Sequence, residues 1–259
     1  MTIGVFDSGL GGLSVLKHLK QNLRNESFQY IADSGHAPYG DKPESFIRQR
    51  STDISNFLAN NEVSAIVVAC NTATAASIQS IRECLTIPVV AVEPGLKPAS
   101  LKTKTGKVGV LATASTLQSQ QYKSLVSRFS KDVIFYEQAA YGLVELIEAG
   151  KLDDTSTYNL VREYLQPMLD EGVDSIVLGC THYPFLLKVF RDVAGSEIDI
   201  VDTGSAISDQ LSRVMSATSN HQQETAPADV FYSSGDIYHT QDMINRLLGV
   251  QVKVKALPV

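Results

Sequence analysis

Two cysteines have the most chemically suggestive surroundings in this 259-residue chain. Cys70 ends the run Ala65-Ile-Val-Val-Ala-Cys70 and is followed by Asn71, Thr72 and Thr74. Cys180 ends Ser175-Ile-Val-Leu-Gly-Cys180 and is followed by Thr181, His182, Tyr183 and Pro184. Each run is short, apolar and rich in Ile or Val, the pattern of a buried strand. Each gives way to helical spacing, with Ile78, Ile81 and Leu85 after the first cysteine and Leu186, Val189, Phe190 and Val193 after the second. A thiol at a strand-to-helix junction lies near the positive end of a helix dipole and beside unpaired backbone N–H groups. Both features favour thiolate and favour a bound anion such as a carboxylate.

Four chemistries are open to such a pair. Small buried cysteines can simply pack, and Cys84, on a helix with apolar neighbours, fits that reading. For Cys70 and Cys180 the polar company of Asn71, Thr72, Thr74, Thr181 and His182 argues against it. A metal site could draw on Cys180, His182 and Cys70, but the spacing matches no zinc pattern. A single cysteine nucleophile with His182 as its base leaves the second cysteine without a purpose. Two-base proton transfer uses both: one thiolate removes a proton from a carbon while the opposite thiol donates to the other face. Inverting a stereocentre needs that geometry.

The elements that must position these groups alternate along the chain. Thr2-Ile-Gly-Val-Phe-Asp7-Ser8 reads as a first strand entering the turn Gly9-Leu-Gly11-Gly12, with a helix carrying Leu13, Leu16 and Leu19 behind it. The GxGxxG spacing of a dinucleotide site is absent. Asp7 and Ser8 suit a strand end and helix cap as well as a site. Strand 28–33 leads into a loop with Pro38-Tyr39-Gly40. Then come a helix over 43–60, the Cys70 strand, a strand over 87–93, and a hinge over 94–98.

A second half opens at Lys107-Val-Gly109-Val-Leu-Ala-Thr113 and echoes the first, pairing Gly4 with Gly109 and Ser8 with Thr113. The distance from Ser8 to Cys70 is 62 positions and from Thr113 to Cys180 it is 67. The expectation is a pseudo-repeated α/β unit, with strands over 133–136 and 198–201 and helices over 143–148, 155–171 and 205–217. Residues 219–229 read as an exposed polar loop. A strand from Val230, a helix over 243–248 and a short terminal strand close the chain. Alternating strands and helices predict mainly parallel sheets flanked by helices, with ligands beyond the carboxyl ends of the strands. The divisions fall so that 1–94 and 210–259 form one domain, carrying Asp7 and Cys70. Residues 95–209 form the other, carrying Glu148, Cys180 and His182.

Bulk composition narrows the function classes. Apolar residues make up 44% and charged residues 19%, as in soluble globular proteins. A net charge of −6 with no Lys/Arg run argues against a nucleic-acid partner. No stretch is long enough to span a bilayer, and three cysteines cannot all pair, so a reduced, cytoplasmic protein is expected.

Phe6-Asp7-Ser8-Gly9-Leu10-Gly11-Gly12, Pro38-Tyr39-Gly40, Ala69-Cys70-Asn71-Thr72-Ala73, Val92-Glu93-Pro94 and Gly179-Cys180-Thr181-His182-Tyr183-Pro184 together resemble the signatures of bacterial glutamate racemases. The resemblance runs in order from Gly4 to Gly204 and extends to Phe231-Tyr-Ser-Ser-Gly-Asp236. It implies two pseudo-symmetric domains with the active site in the cleft between them. The implied activity is cofactor-independent interconversion of L- and D-glutamate, without metal, supplying D-glutamate for peptidoglycan. Cys70 would exchange the proton on the D-face, assisted by Asp7, and Cys180 that on the L-face, assisted by His182. Glu148, in preference to Glu145, matches the family's acid near the second cysteine. Ser8, Pro38, Tyr39, Gly40, Asn71, Thr72, Thr74, Thr113 and Thr181 would hold the substrate. Family members are often dimers, so a homodimer is also implied. Aspartate is the alternative substrate, and a catalytically silent binding protein the alternative class.

Overall fold

The protein, seen in a computed structural model, is described over residues 1–218 and 228–259; the expected polar loop lies almost wholly outside them. The chain forms two compact units, Met1–Val92 with Gly204–Val259, and Glu93–Thr203. The first runs β1 (Thr2–Asp7), α1 (Leu13–Asn22), β2 (Ser27–Ala32), α2 (Glu44–Asn60), β3 (Ala65–Val68), α3 (Asn71–Cys84) and β4 (Val89–Ala91). The second runs α4 (Leu96–Lys102), β5 (Lys107–Ala112), α5 (Ala114–Gln118), α6 (Gln120–Phe129), β6 (Ile134–Ala139), α7 (Leu143–Glu148), α8 (Thr155–Asp170), β7 (Ser175–Gly179), α9 (Leu187–Ala194) and β8 (Asp199–Val201). The chain then completes the first unit with α10 (Gly204–Thr218), β9 (Val230–Ser233), α11 (Ile237–Leu248) and β10 (Val254–Ala256).

The first sheet has the order β10-β9-β2-β1-β3-β4 and the second β6-β5-β7-β8. Every pairing is parallel. Without its β10-β9 edge, the first order matches the second strand for strand. Gly4 and Gly109 each stand third in a central strand, as the pairing of the two halves predicts. Parallel strands covered on both faces can be apolar throughout. In β5 and β7 successive side chains then enter opposite cores. Leu111, Ile176 and Leu178 pack with α7, α8 and α9, whereas Val108, Val110 and Val177 pack with α4 and α6. In the first unit Phe6, Ile31, Ile66 and Val68 pack on Ile47, Ile54 and Leu58 of α2 and Ile78 and Ile81 of α3.

The chain returns to the first unit at Gly204 rather than at 210, because α10 packs along α1 from its first residue. A Cβ on Gly204 would come within 2.3 Å of the His18 ring, and Ser208 donates to the His18 carbonyl at 3.2 Å. Of the expected hinge over 94–98, which lies just past the division at Val92, residues 96–98 form the first turn of α4, where Pro98 is tolerated because no intrahelical N–H is needed. Helices α5 and α6 have no counterpart in the sequence reading. Thr113 and Ser119 cap them through their side chains, and their buried residues are only Thr116 and Tyr122. The five residues of α5 are too few to show an apolar period, whereas in α6 Tyr122, Leu125, Val126 and Phe129 do follow helical spacing and pack on the core.

Candidate active site

In the first unit three neighbouring strands deliver the predicted residues at their carboxyl ends. Asp7 closes β1 and Ser8 follows it; the Pro38-Tyr39-Gly40 turn follows β2; Cys70 follows β3. Asp7 is fully buried, and its Oδ1 accepts the Gly9 N–H at 2.8 Å. Gly12 must be glycine for the turn to close, since a Cβ there would lie 2.7 Å from the Asp7 Cβ and 3.0 Å from the Ala69 Cβ. Cys70 is the N-cap of α3: its Sγ accepts the Ala73 N–H at 3.4 Å and lies 3.5 Å from Ser8 Oγ. Negative charge on that sulfur would meet both a hydrogen-bond donor and the positive end of a four-turn helix.

Asn71, Thr72 and Thr74 occupy the first turn of α3 and are all buried. Asn71 Nδ2 and Thr74 Oγ1 are buried atoms without a hydrogen-bond partner among the described residues. A buried unpaired polar atom costs on the order of 1–3 kcal/mol, so two in one turn call for a ligand. Tyr39 is also buried, and its O–H is given to Asp33 Oδ2 at 2.6 Å. Burial first, then the Asp33 charge, push the Tyr39 phenol far above its usual range, so it stays neutral.

In the second unit Thr113 follows β5, and Cys180, Thr181 and His182 follow β7, again on paired strands. Cys180 Sγ lies 3.8 Å from His182 Nδ1, and His182 Nε2 lies 2.6 Å from Glu148 Oε1. His182 is 2% exposed. Its ring therefore links the thiol to a carboxylate, and Glu148, at the end of α7, is the acid in place. Thr113 caps α5, its Oγ1 accepting the Thr116 N–H at 3.2 Å. Tyr183 is fully buried and donates to the Ala140 carbonyl at 3.3 Å. Burial and the charge of neighbouring Cys180 hold its pKa well above the ordinary range.

Two expectations change. Cys180 does not cap an α-helix: a 3-10 turn over Tyr183–Leu186 intervenes, and α9 begins only at Leu187. Cys84, expected to be a packing residue, is exposed at the last position of α3. Sequence reasoning also passed over Asp33 and Arg50. Asp33 is fully buried and takes both arms of the Arg50 guanidinium, at 2.9 and 2.7 Å. An acid at a strand end and an arginine mid-helix carry no sequence signal, because their pairing exists only in the fold. Among the described residues no group of three or more His, Cys, Asp or Glu side chains could hold a metal ion.

The Asp/Glu/hydantoin racemase family model matches residues 3–211. A glutamate racemase from Ectopseudomonas mendocina is 45% identical over 97% of this chain and 96% of its own length. The crystal structure of a glutamate racemase isoform from Bacillus anthracis superposes with a TM-score of 0.91 at 31% identity, covering 100% of this chain and 97% of that one. An Escherichia coli glutamate racemase, solved with L-glutamate and the activator UDP-MurNAc-Ala, gives 0.88 at 30% identity, covering 99% and 97%.

Proposed function

The chain belongs to the glutamate racemases of the Asp/Glu/hydantoin racemase family, and from that membership we propose that it interconverts L- and D-glutamate by proton transfer between two thiols, without a cofactor. The observation that carries this reading is the duplication. Cys70 and Cys180 follow equivalent strands of two units with matching strand order. Cys70 has the Ala73 N–H and the Ser8 hydroxyl beside it, and Cys180 has the His182 ring backed by Glu148. In this reading each unit, divided near residues 93 and 204, supplies one thiol to the reaction.

Starting from L-glutamate, the Cys180 thiolate takes the α-proton while the Cys70 thiol gives its proton to the opposite face. The products are D-glutamate, a Cys180 thiol and a Cys70 thiolate; the reverse reaction starts from that state. Charge that builds up on the substrate carboxylate during transfer is met by donors at the strand ends. Asn71 and Thr74 have unpaired buried atoms to offer. Ser8, Thr72, Thr113, Thr181 and the Pro38-Tyr39-Gly40 turn complete the binding set. His182, held by Glu148, serves the Cys180 proton. Asp7 carries the same charge as a thiolate and would oppose its formation, so its role is to position or accept the Cys70 proton.

The product would supply D-glutamate for peptidoglycan, made in the cytoplasm. Among the described residues no helix is long and apolar enough to cross a membrane, and a net charge of −6 disfavours nucleic acid. The test is incubation with L-glutamate in D₂O with no added cofactor or metal, following the α-proton by NMR alongside optical rotation. Washout with racemisation, unchanged by a chelator, is the expected outcome. Reaction with L-aspartate alone would reassign the substrate, and reaction with neither would overturn the enzymatic reading.

A further inference from the structure

The most heavily hydrogen-bonded carboxylate described outside the thiol set is Asp33, directly after β2. It is fully buried, and two N–H groups of Arg50, the Tyr39 hydroxyl and His36 Nδ1 (3.1 Å) converge on it. Ser234 adds a further side-chain hydrogen bond. The Asp33 N–H is itself spent on the Asp7 carbonyl at 3.0 Å. One residue thus ties the end of β1, helix α2, the Tyr39 ring and the segment after β9. Burial alone would raise the Asp33 pKa, but the hydrogen bonds from Arg50, Tyr39 and Ser234 and the Arg50 charge outweigh it and hold it below its usual value. The segment after β9 closes the back of the cluster. The Gly35 N–H donates to Ser234 Oγ at 3.1 Å, and a Cβ on Gly35 would stand 2.7 Å from the Ser234 carbonyl oxygen.

This arrangement bears on what Tyr39 can do. Its hydroxyl proton is committed to Asp33, and its ring packs in the same buried cluster as Cys70 and Ala73. The turn Tyr39–Asp41 lies against α3, the helix whose first turn carries Asn71, Thr72 and Thr74. Gly40, beside it, is only partly buried. The part of this turn free to meet a substrate is its backbone, not the phenol.

We propose that Asp33, clamped by Arg50, is a positioning residue that anchors the Tyr39 ring and so holds the Tyr39–Gly40 backbone in place to bind a carboxylate of the substrate. The inference rests on the racemase reading for the identity of that carboxylate, but not for the mechanical role of the anchor. Asp33 touches no reacting atom. Loosening it should weaken binding of both enantiomers alike and leave the proton transfers unchanged.

The experiment compares wild type, Tyr39→Phe, Arg50→Lys and Asp33→Asn by kcat and KM for L- and D-glutamate, by thermal midpoint, and by backbone amide exchange at Tyr39 and Gly40 without substrate. The expected result for Tyr39→Phe and Arg50→Lys is a KM raised about tenfold for both enantiomers, with kcat within about twofold of wild type. Amide exchange at Tyr39 and Gly40 should be at least about tenfold faster than in wild type. Asp33→Asn should show the same pattern more strongly; should it fail to fold, the other two variants decide. A lowered midpoint with wild-type KM and wild-type exchange would make the cluster purely structural and overturn the proposal. So would a loss confined to kcat, which would place the phenol in the chemistry. A wild type that racemises no glutamate would overturn the functional reading instead, and the exchange data would still decide the anchor.

Discussion

The two thiols sit on the same frame but are supported by different means. At Cys70 the support is backbone: α3 begins at once, and the Ala73 N–H reaches the sulfur at 3.4 Å. At Cys180 it is side chain: the His182 ring stands 3.8 Å away, backed by Glu148. The local sequence explains the split. Asn71-Thr72-Ala73-Thr74 winds directly into a helix with its N–H groups available. After Cys180, Pro184 enters the turn at its start and brings no N–H, and only a short 3-10 turn forms. Repetition of the strand order fixes where a thiol is placed. The residues just beyond the strand decide how charge on it is held.

The sharpest way to break that comparison is to remove each sulfur. In the proposed mechanism Cys70→Ala and Cys180→Ala should each lower racemisation by at least about 10³-fold, near the upper range for losing a general acid or base. Binding of glutamate, followed by calorimetry, should survive in both. Racemisation retained in either variant would show that the two halves are not an opposed pair.

Smaller losses should come from the supporting groups, and they should differ in kind. L- and D-glutamate have equal free energies, so any variant must lower kcat/KM equally in both directions. The asymmetry appears in isotope effects. With Glu148→Gln, slowed transfer at Cys180 should raise the primary deuterium effect on α-deuterated L-glutamate and lower that on D-glutamate. Asp7→Asn should do the reverse, with rate losses of about 10- to 10²-fold in each case. The same isotope pattern in both variants would mean that the two acids serve one thiol.

How legible this was differs between the halves for the same local reasons. Strand positions and the sites of both cysteines follow from apolar runs such as Ala65-Ile-Val-Val and Ser175-Ile-Val-Leu, because a doubly covered parallel strand writes its burial directly into sequence, whereas the order of strands in each sheet does not. Cys70 as a helix cap was readable from the helical spacing after it. The 3-10 turn after Cys180 was not, because Leu186, Val189, Phe190 and Val193 keep a helical period over a segment that begins in another conformation. Helix α6 was legible but not read, for Tyr122, Leu125, Val126 and Phe129 keep a helical period, whereas the five-residue α5 is too short to show one. Asp33 and Arg50 lie 17 residues apart and meet only when α2 packs back on the sheet.

Thr74 offers a milder test of the same contrast. Its hydroxyl is buried and unpaired, whereas no such buried unpaired side-chain atom is described at Thr113, Thr181 or His182. Thr74→Val keeps the shape and deletes an unsatisfied group. It should leave stability unchanged or raise it by about 1 kcal/mol, a midpoint shift of about 2–4 °C. KM for glutamate should rise about tenfold. A fall in both stability and affinity would show that the hydroxyl has a partner in the unliganded protein.

The least conspicuous contrast is in acid, between the buried Asp33 of the first unit and the half-buried Asp174 of the second. Both carboxyls are held below 3.8 in the folded chain. At Asp174 burial opposes this, and bonds from the Thr103 hydroxyl and the Thr105 and Lys104 N–H groups prevail. A carboxyl with a depressed folded pKa adds stability that is complete above the unfolded value and is lost as pH falls through the folded one. Replacing Asp33 by Asn also leaves the half-buried Arg50 without its counter-charge, a loss below the roughly 3–5 kcal/mol of a fully buried pair near neutrality because solvent still reaches the guanidinium. The gap in unfolding free energy between wild type and Asp33→Asn should therefore narrow as pH falls from about 5 to about 2, since protonated Asp33 no longer pairs with Arg50 either. Asp174→Asn should show a smaller gap with the same direction of change, because solvent shares in satisfying that group. Denaturant titrations across that pH range would measure both. A gap for Asp33→Asn that stays constant to pH 2 would mean that its contribution is packing rather than charge.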